Sequence, residues 1–495
     1  MAKYFQKKLT GFSMIEALLA GSLLALVIFT VASVLIFGQE SSRIAGDSQR
    51  ASALAEEGLE AARNMSEASF GSLSAGPHGL VVSGGKWQFS GTEDYTEIFT
   101  RSLAVSDLDS YTNAVTSTVN WSASAQRSGA ISLTSRFTNW RRAGFSNWAS
   151  TTVEAGYATT TNIYRGQRVL VDGNYAYVGL VSGTNNFIIF DISNPAVPVP
   201  VGRTTVTANI NDMVISGNYV YIASSGNSNE LVAVTVTNKT APVVVAGAGY
   251  NAAGNGNGLA VDVVGNRLYL GRSFSATAGQ GEFYIFNISN PAVVGAPLNT
   301  VAGFNLTAAV NDIEVSSNGF AYLATAVSTA ELTILNVSNS ASPFQAGVRN
   351  ITGKVIGSAV TIFDSNADGI EDVAILALTT TGVIWPINVS TPSSPTLILA
   401  SGYIVPGVGS VRIYDLELFN ANKYLALATA RSTAEVVILN ITTLTMPTVL
   451  STVNFSGTSL VTAYSLAYAS GVDRLLVSTL RVTTLNYILQ IIKPN

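Results

Sequence analysis

The chain has 495 residues, too many for one ordinary domain, so two or three domains are expected. Only 11% of its residues are Asp, Glu, Lys or Arg, against about 25% in a typical soluble protein, and the net charge is −4. This charge gives no attraction to nucleic acid, and a sequence without cysteine excludes disulfides and thiol chemistry.

A short basic leader and a long apolar run form the N-terminal part. Lys3, Lys7 and Lys8 precede Gly11, and no charged residue occurs in the 21 positions from Ala17 to Phe37. A helix of this length extends roughly 30 Å, enough to cross the hydrocarbon core of a bilayer. The positive charge predicts that the leader stays in the cytoplasm and that the chain after the run lies outside.

The stretch GFSMIE, from Gly11 to Glu16, and the apolar run after it resemble the N-terminus of type IV pilins and type II secretion pseudopilins. The resemblance implies that a prepilin peptidase removes residues 1–11 and methylates Phe12. It also implies that Glu16 pairs with the α-amino group of Phe12 on a neighbouring subunit, where a buried ion pair would specify register more than stability. The alternative is an interfacial carboxylate that reaches the lipid headgroups.

The next residues predict a small α+β domain. Apolar residues from Ala51 to Met65 recur at helical spacing, so one helix is expected over residues 12–65. From about residue 80 to 140 the period changes to two, which is typical of an antiparallel sheet. The predicted strands are Lys86–Ser90, Tyr95–Val105, Ala114–Ser122 and Ala130–Thr138. His78, the single histidine, is expected in a turn. Residues 12–142 thus resemble a pilin-like domain, and residues 143–161 follow as a linker or closing strand.

Residues 162–495 repeat a unit of about fifty residues seven times. In the first unit, Val169–Gly179 contains two strands around a Gly-Asn hairpin turn, and Phe187–Pro198 contains a third strand and a turn ending in proline. Four-stranded units repeated in this way predict a seven-bladed β-propeller, and they resemble the LVIVD propeller repeat of bacterial and archaeal cell-surface proteins. The last unit lacks a fourth strand, and Thr151–Tyr164 is the segment expected to supply it. The predicted fold class is therefore mainly β with one long N-terminal α-helix.

The fifth unit contains an acidic insertion, Asp364–Asp372, with the spacing D-x-N-x-D-G-x-x-D. Hard oxygen ligands in a tight loop suit Ca²⁺, and the pattern resembles the calcium loops of integrin α-subunit propellers. We expect a structural Ca²⁺ ion. Its expected ligands are the side chains of Asp364, Asn366, Asp368 and Asp372 and the carbonyl oxygen of Ile370. The alternative is an acidic hairpin tip that binds no metal.

Three further carboxylates, Asp212, Asp312 and Asp415, each open the first strand of a unit. First strands line the centre of a propeller, so these side chains are expected to converge there or, in a structural role, to accept hydrogen bonds from backbone N–H groups of nearby turns. The sequence shows no nucleophile with a base, no metal–histidine cluster and no phosphate loop. An enzyme is therefore not expected.

Together these features predict a minor type IV pilin that displays a propeller for adhesion or for recognition of a surface, a glycan or another cell. The expected partners are other pilin subunits, the prepilin peptidase, the cytoplasmic (inner) membrane before assembly and an unidentified external ligand. After assembly the propeller is expected in an extracellular pilus. One alternative is a pseudopilin that engages a secreted substrate. Another is a membrane-tethered extracellular enzyme that acts on polymers.

Overall fold

The structure is a computed structural model. It describes residues 13–68, 70–109, 112–124, 127–138, 147–159, 165–181, 183–226, 228–275, 280–300, 302–351, 356–455, 461–481 and 486–495. The chain divides into two compact units, Met1–Gly144 and Phe145–Asn495. The predicted cleavage residues Gly11 and Phe12 lie outside the described residues.

One continuous helix, α1 (Met14–Ala68), dominates the first unit. Its first half is apolar all round and exposed, as at Leu24 (62%) and Phe37 (76%). This part is long and apolar enough to cross a membrane. The second half is amphipathic and buries one face, which includes Ala51, Ala55 and Met65. The helix ends three residues beyond the predicted position.

An antiparallel sheet lies against the second half of α1, with the strand order β2-β1-β4-β5-β6 and β3 paired to β4. After a 3₁₀ turn at Phe70–Ser72, its strands are β1 (Gly76–Ser83), β2 (Lys86–Ser90), β3 (Asp94–Thr96), β4 (Phe99–Asp109), β5 (Thr112–Ser124) and β6 (Arg127–Thr138). Leu103, Val115 and Val119 are fully buried in two clusters with helix residues. Gly58 permits the close approach, because a Cβ there would lie 2.4 Å from the Ser117 Oγ.

Two predictions in this unit are wrong. His78 lies in β1 and stacks on Phe89 with ring centroids 4.0 Å apart, whereas a turn was expected. The Gly-Pro start and only three consecutive apolar residues conceal this strand in the sequence. The predicted strand Tyr95–Val105 is a hairpin of β3 and β4, whose turn places Glu97 at φ 54°. No glycine, proline or asparagine marks that turn.

The described residues of the second unit form seven sheets, numbered here in the order of their first strands. Sheet 1 comprises Gly166–Asp172, Tyr175–Leu180, Phe187–Asp191 and Val199–Thr204. Sheet 2 comprises Ile210–Ser216, Tyr219–Gly226, Asn229–Thr235 and Val243–Val244. Sheet 3 comprises Gly258–Val264, Arg267–Arg272 and Phe283–Asn287. Sheet 4 comprises Val310–Val315, Phe320–Thr325, Leu332–Asn336 and Phe344–Arg349.

The remaining sheets follow the same antiparallel order. Sheet 5 comprises Gly357–Phe363, Val373–Leu378, Val383–Asn388 and Thr396–Leu397, with Tyr403–Ile404 also paired to its third strand. Sheet 6 comprises Ile413–Phe419, Tyr424–Thr429, Val436–Asn440 and Thr448–Val453. Sheet 7 comprises Val461–Ala469, Arg474–Arg481 and Asn486–Pro494, and its fourth strand is Thr151–Thr159.

Neighbouring sheets meet through their first strands. Each first strand lies against the first strand of the next sheet, and that of sheet 7 lies against that of sheet 1. Clusters of buried apolar residues fill the spaces between sheets. Sheet 3 departs from the predicted four strands, since only three are assigned among its described residues and an isolated bridge, Phe283 to Phe304, follows them.

A turn built on asparagine or aspartate recurs after the third strand of most sheets. The Oδ1 of Asn287 accepts a hydrogen bond from the Ser289 N–H, and that of Asn388 accepts one from the Ser390 N–H. This side-chain bond replaces part of the backbone ladder and reverses the chain. The repeated Asn-x-Ser/Thr sequences therefore serve as turn formers.

Candidate functional site

Every first strand of the second unit contains a β-bulge at the same place. The pairing with the second strand shifts by one residue at Gln167, Asn211, Leu259, Asn311, Ser358, Tyr414 and Tyr464. A bulged residue leaves the ladder and points its side chain in a new direction. These seven residues, one from each sheet, line a single cavity of about 140 Å³, here called the mouth cavity.

Arg168, Asp212 and Asp312 also line the mouth cavity. Each directly follows a bulge residue. Arg168 and Asp312 also contribute to a second cavity of about 190 Å³, which contains Glu314, Asp415 and Glu417 and is here called the acidic cavity. The first strands therefore enclose two adjoining polar spaces.

The carboxylates of the first strands connect neighbouring sheets. Asp212 accepts a hydrogen bond from its own successor, the Met213 N–H (2.8 Å), and a second from the Val261 N–H of sheet 3 (2.8 Å). Three other aspartates accept the same pair of bonds, from their own successor and from a neighbouring sheet. The second donor is the Val360 N–H for Asp312, the Leu466 N–H for Asp415 and the Val315 N–H for Asp262. A buried carboxylate with two N–H donors is well solvated by the protein, so these residues hold adjacent sheets together.

Other polar groups join the remaining sheets. The Ser358 Oγ of sheet 5 donates to the Ile413 carbonyl of sheet 6 (2.8 Å), and the Val169 N–H of sheet 1 donates to the Ser465 Oγ of sheet 7 (3.3 Å). Between sheets 1 and 2 the connection is ionic, because the Arg168 Nε lies 2.6 Å from an Asp212 oxygen. Every pair of neighbouring sheets thus has a polar contact near the centre.

Arg168 is the cation at the centre of this arrangement. Besides Asp212 it contacts Asp415, with its Nη1 3.2 Å from Oδ2. Its side chain keeps 23% exposure, toward the cavities that it lines. Burial alone would lower the pKa of the guanidinium, but the surrounding carboxylates outweigh burial and raise that pKa above its usual value.

Four of the carboxylates around Arg168 hold protons more tightly than usual. Burial raises the pKa of Asp312 to about 8 and the pKa of Glu417 to about 7, against the pull of Arg168. Burial also raises the pKa of Asp262 to about 7, and the pKa of Glu314 rises well above its ordinary value. Since six carboxylates surround one guanidinium, several of them are protonated near neutral pH.

The structure brings together the three aspartates expected from the sequence, Asp212, Asp312 and Asp415. Each accepts backbone N–H bonds, but the donors lie in first strands, whereas donors in turns were expected. Arg168 was missed, although it occupies the same position of the repeat in sheet 1. Asp262, Glu314 and Glu417 were also missed. The sequence could have indicated them, because each lies two residues after the repeat position that Asp212, Asp312 and Asp415 occupy in their own strands. Residues two apart in a strand lie on the same face.

The acidic loop of sheet 5 lies between Phe363 and Val373, as predicted, but its carboxylates bond to the loop itself. Both Asp364 oxygens accept backbone N–H bonds, from Ala367 and Gly369 at 2.7 Å. Burial by itself would raise the pKa of Asp364, but these hydrogen bonds outweigh it and lower that pKa. The other predicted ligands do likewise: Asp372 accepts from Ser365, the Asn366 Nδ2 donates to Asp368, and Asp368 accepts from the Ile370 N–H.

This loop carries the expected oxygen donors without assembling them around one point. Among the residues that the structure describes, no three Asp, Glu, His or Cys side chains form a group able to hold a metal ion. A hairpin tip stabilised by its own N–H groups accounts for the loop conformation. The calcium expectation therefore stays a prediction that needs rearrangement of at least one carboxylate.

Glu16 occupies the first turn of α1. The Ser13 N–H donates to its Oε2 (2.8 Å), and its own N–H donates to the Ser13 Oγ (3.2 Å). These reciprocal bonds are a capping box, which satisfies two N–H groups at the helix end. This role of Glu16 is not among those expected from the sequence. The proposed pairing with Phe12 of another subunit stays a prediction.

Comparison with known proteins supports the repeat architecture. The model of the LVIVD repeat matches residues 165–206, 209–247 and 309–348. No curated protein matches the sequence. A crystal structure of a protein from Lactobacillus plantarum is similar with a TM-score of 0.50 and 12% identity, and the match covers 63% of this chain and 87% of that one.

Two further solved structures are more weakly similar. The periplasmic gluconolactonase PpgL of Pseudomonas aeruginosa has a TM-score of 0.47 and 10% identity, with 72% of this chain and 96% of that chain covered. Sqt1 of Saccharomyces cerevisiae has a TM-score of 0.46 and 9% identity, with 66% and 83% covered. The repeat matches and the four-stranded sheets show a β-propeller-type repeat domain that follows an N-terminal apolar helix.

Proposed function

We propose that this protein is a minor type IV pilin that displays a β-propeller outside the cell for adhesion or recognition. The observation that carries the proposal is the division of α1 into two halves. The second half packs on the antiparallel sheet, as in the pilin-like domain expected from the sequence. The first half, from Met14 to Phe37, is exposed and apolar on all sides.

The exposed half of α1 requires an apolar environment that the described residues of the first unit do not provide. Fifteen large apolar side chains are exposed between Met14 and Phe37. Burial of each side chain contributes about 1.5–3 kcal/mol. Leaving all of them in water therefore costs on the order of 20 kcal/mol or more relative to an apolar environment. A bilayer before assembly and neighbouring helices in a filament would each supply apolar contact. This need supports a subunit that moves between the two.

We also propose that the seven sheets are the blades of a closed propeller. The pairing of Thr151–Thr159 with Asn486–Pro494 gives sheet 7 its fourth strand from the chain that precedes sheet 1. Such a connection would join the two ends of the ring, and it pairs the outer edge of Asn486–Pro494. It would make the propeller a rigid head suited to display at a pilus surface or tip.

N-terminal sequencing by mass spectrometry tests the pilin proposal. In purified filaments the chain is expected to begin at an N-methylated Phe12. A Gly11→Val variant, which alters the residue before the cut, is expected to keep residues 1–11 and to remain in the membrane. An intact Met1 terminus in assembled wild-type material would refute the proposal.

Two alternatives lead to different observations. A pseudopilin would place the propeller in a secretion apparatus, so imaging with a label on the propeller would find it there and not on extended filaments. The enzyme alternative draws on the raised pKa values of the buried carboxylates, which are frequent at active sites. However, Asp212 and Asp312 accept hydrogen bonds from the backbone of neighbouring sheets, which explains their burial without catalysis. Turnover of an extracellular polysaccharide would favour the enzyme.

A further inference from the structure

We propose that the mouth cavity binds one ring of a neutral saccharide, held by the side chains that the seven bulges present. This inference deepens the proposed recognition function by assigning it a ligand class and a place. It does not depend on pilus assembly. The supporting observations are the construction of the cavity, the chemistry of its lining and its charge.

The cavity is a built feature of the repeat. Seven independent bulges direct one residue each into the same space. Contacts between sheets explain the buried aspartates, and they use the Nδ2 groups of Asn211 and Asn311 and the Oγ of Ser358. These contacts do not use the amide oxygens of the two asparagines. Four of the seven bulge residues have an amide or an aliphatic hydroxyl, namely Gln167, Asn211, Asn311 and Ser358, and two more are tyrosines. Bulges that re-aim side chains are frequent beside binding sites.

Two of the amides are fixed in orientation. The Asn211 Nδ2 donates to the Gly258 carbonyl (2.6 Å), and the Asn311 Nδ2 donates to the Gly357 carbonyl (2.7 Å). Because the acceptor is a carbonyl in each case, the amide nitrogen must face it and the amide oxygen points elsewhere. Preoriented amide oxygens lose little entropy when they accept bonds from ligand hydroxyls.

Two tyrosines form an apolar side of the cavity. The rings of Tyr414 and Tyr464 lie 4.5 Å apart, and the Arg412 guanidinium stacks 4.8 Å from the Tyr414 centroid. All three residues line the cavity. An aromatic pair held in this way offers a rigid face with polar tips. The C–H face of a sugar ring would pack against it while its hydroxyls reach the amides.

Size and charge favour a single neutral ring. The cavity of about 140 Å³ has room for several water molecules, which is the order of size of one sugar ring. The guanidinium of Arg168 is already engaged by Asp212 and Asp415. The Arg412 guanidinium, which also lines the cavity, stacks on Tyr414. Both cations of the lining thus have partners within the protein, so the hydroxyls and the apolar face of a neutral ring, rather than a charge, provide its contacts.

Isothermal titration of the full chain in detergent micelles tests the proposal. The probes are glucose, galactose, mannose, fucose and N-acetylglucosamine, with glucuronate and glucosamine as charged counterparts. At least one neutral sugar is expected to bind. Gln167→Leu is expected to weaken that binding at least about tenfold. The matched control is Gln345→Leu on the exposed fourth strand of sheet 4, which should leave affinity unchanged.

A second pair of variants guards against misfolding. Tyr464→Leu removes the aromatic face and is expected to reduce affinity, whereas Gln167→Asn keeps the amide and is expected to retain part of it. Melting curves identify any variant that does not fold. Absence of binding by every neutral sugar, binding of the charged sugars alone, or unchanged affinity in both Gln167→Leu and Tyr464→Leu would overturn the proposal. Sugar binding without cleavage before Phe12 would instead retract the pilin assignment and leave this site intact.

Discussion

Two regions of this protein reverse the usual distribution of side chains, in opposite directions. The first half of α1 exposes apolar residues on every side, as at Leu24 and Phe29. The centre of the second unit buries charge, with Asp212 and Asp415 almost inaccessible beside Arg168. Large exposed apolar surfaces and buried charges are both uncommon in a soluble fold.

The difference lies in where each region finds its partners. The carboxylates at the centre accept N–H bonds from neighbouring sheets, so the second unit satisfies its own unusual groups. The apolar half of α1 has no comparable contact within the described residues of the first unit, whose buried clusters begin at Ala51. Buried polarity here marks internal construction, and exposed apolarity marks a need for a membrane or another subunit.

The largest expected effect comes from breaking the fourth strand of sheet 7. Replacing Thr151–Thr159 with a Gly/Ser segment of equal length removes eight paired positions and exposes the edge of Asn486–Pro494. We expect several kcal/mol less stability and aggregation, since an exposed long edge pairs with other chains. Size-exclusion chromatography and urea unfolding measure both. The same replacement of the short strand Val243–Val244 is the control, and a monomeric variant with normal unfolding would contradict ring closure.

Removing the central cation is the next largest change. Arg168→Met leaves Asp212 and Asp415 without their ionic partner and is expected to destabilise the chain by about 3–5 kcal/mol. Arg431→Met, at an exposed arginine, is the matched control and should cost less than about 1 kcal/mol. The loss should shrink when Asp212→Asn is added, because the uncompensated charge is removed. Equal unfolding curves for all variants would exclude an electrostatic role for Arg168.

The pH dependence of stability follows from the raised carboxylate pKa values. Asp312, with a pKa of about 8, and Glu417, with a pKa of about 7, bind protons in the folded state that they release in the unfolded chain above about pH 4. Folding therefore takes up protons, and stability falls as pH rises from about 5 to 8. Melting temperatures of the full chain should decrease across this window. Asp312→Asn should flatten the slope, and an unchanged slope would disprove the assignment.

Much of the secondary structure could be predicted from the sequence, because the helical spacing and the two-residue alternation of apolar residues both follow the buried faces. The switch from helical spacing before Met65 to alternation after Leu80 located α1 and three strands of the first sheet. The repeated strand–turn units located the sheets of the second unit and the segment that pairs with the last strand. Strand β1 escaped because its first residues, Gly76 and Pro77, have no strand preference.

The candidate site was only partly predictable, because bulges are invisible to alternation. An extra residue at Gln167 or Tyr464 shifts the strand register by one, and the residue types around it do not predict that shift. Aligning the repeats on their first strands would have placed Arg168 beside Asp212. The pKa values and the sharing of N–H donors between sheets depend on distances across the unit, which spacing in one strand does not give.

Ca²⁺ binding to the acidic loop of sheet 5 would stabilise the second unit beyond the hydrogen bonds that the loop forms with itself. If Ca²⁺ binds only the folded loop, it stabilises the chain by about 2.7 kcal/mol at 100 times Kd. Melting temperature should then rise with Ca²⁺ and fall with EGTA, and Asp368→Ala should remove the response. Asp191→Ala, which changes an exposed turn aspartate of sheet 1, is the control. Identical melting in all conditions would show that the loop is only an acidic turn.

The smallest effect on folding, and the sharpest test of the exposed helix, concerns Glu16. Its carboxylate closes a capping box with Ser13, and the pilin resemblance assigns it a cation on another subunit. Glu16→Ala removes both functions, at a cost of about 1 kcal/mol at most to the helix end. Glu16→Gln keeps the capping box, which accepts either side chain, but abolishes the charge.

Both variants should still enter the membrane. If the ion pair drives assembly, both should be poorly incorporated into filaments, as measured by immunoblotting of sheared material. Normal incorporation of Glu16→Gln with loss of Glu16→Ala would assign the need for Glu16 to the helix cap.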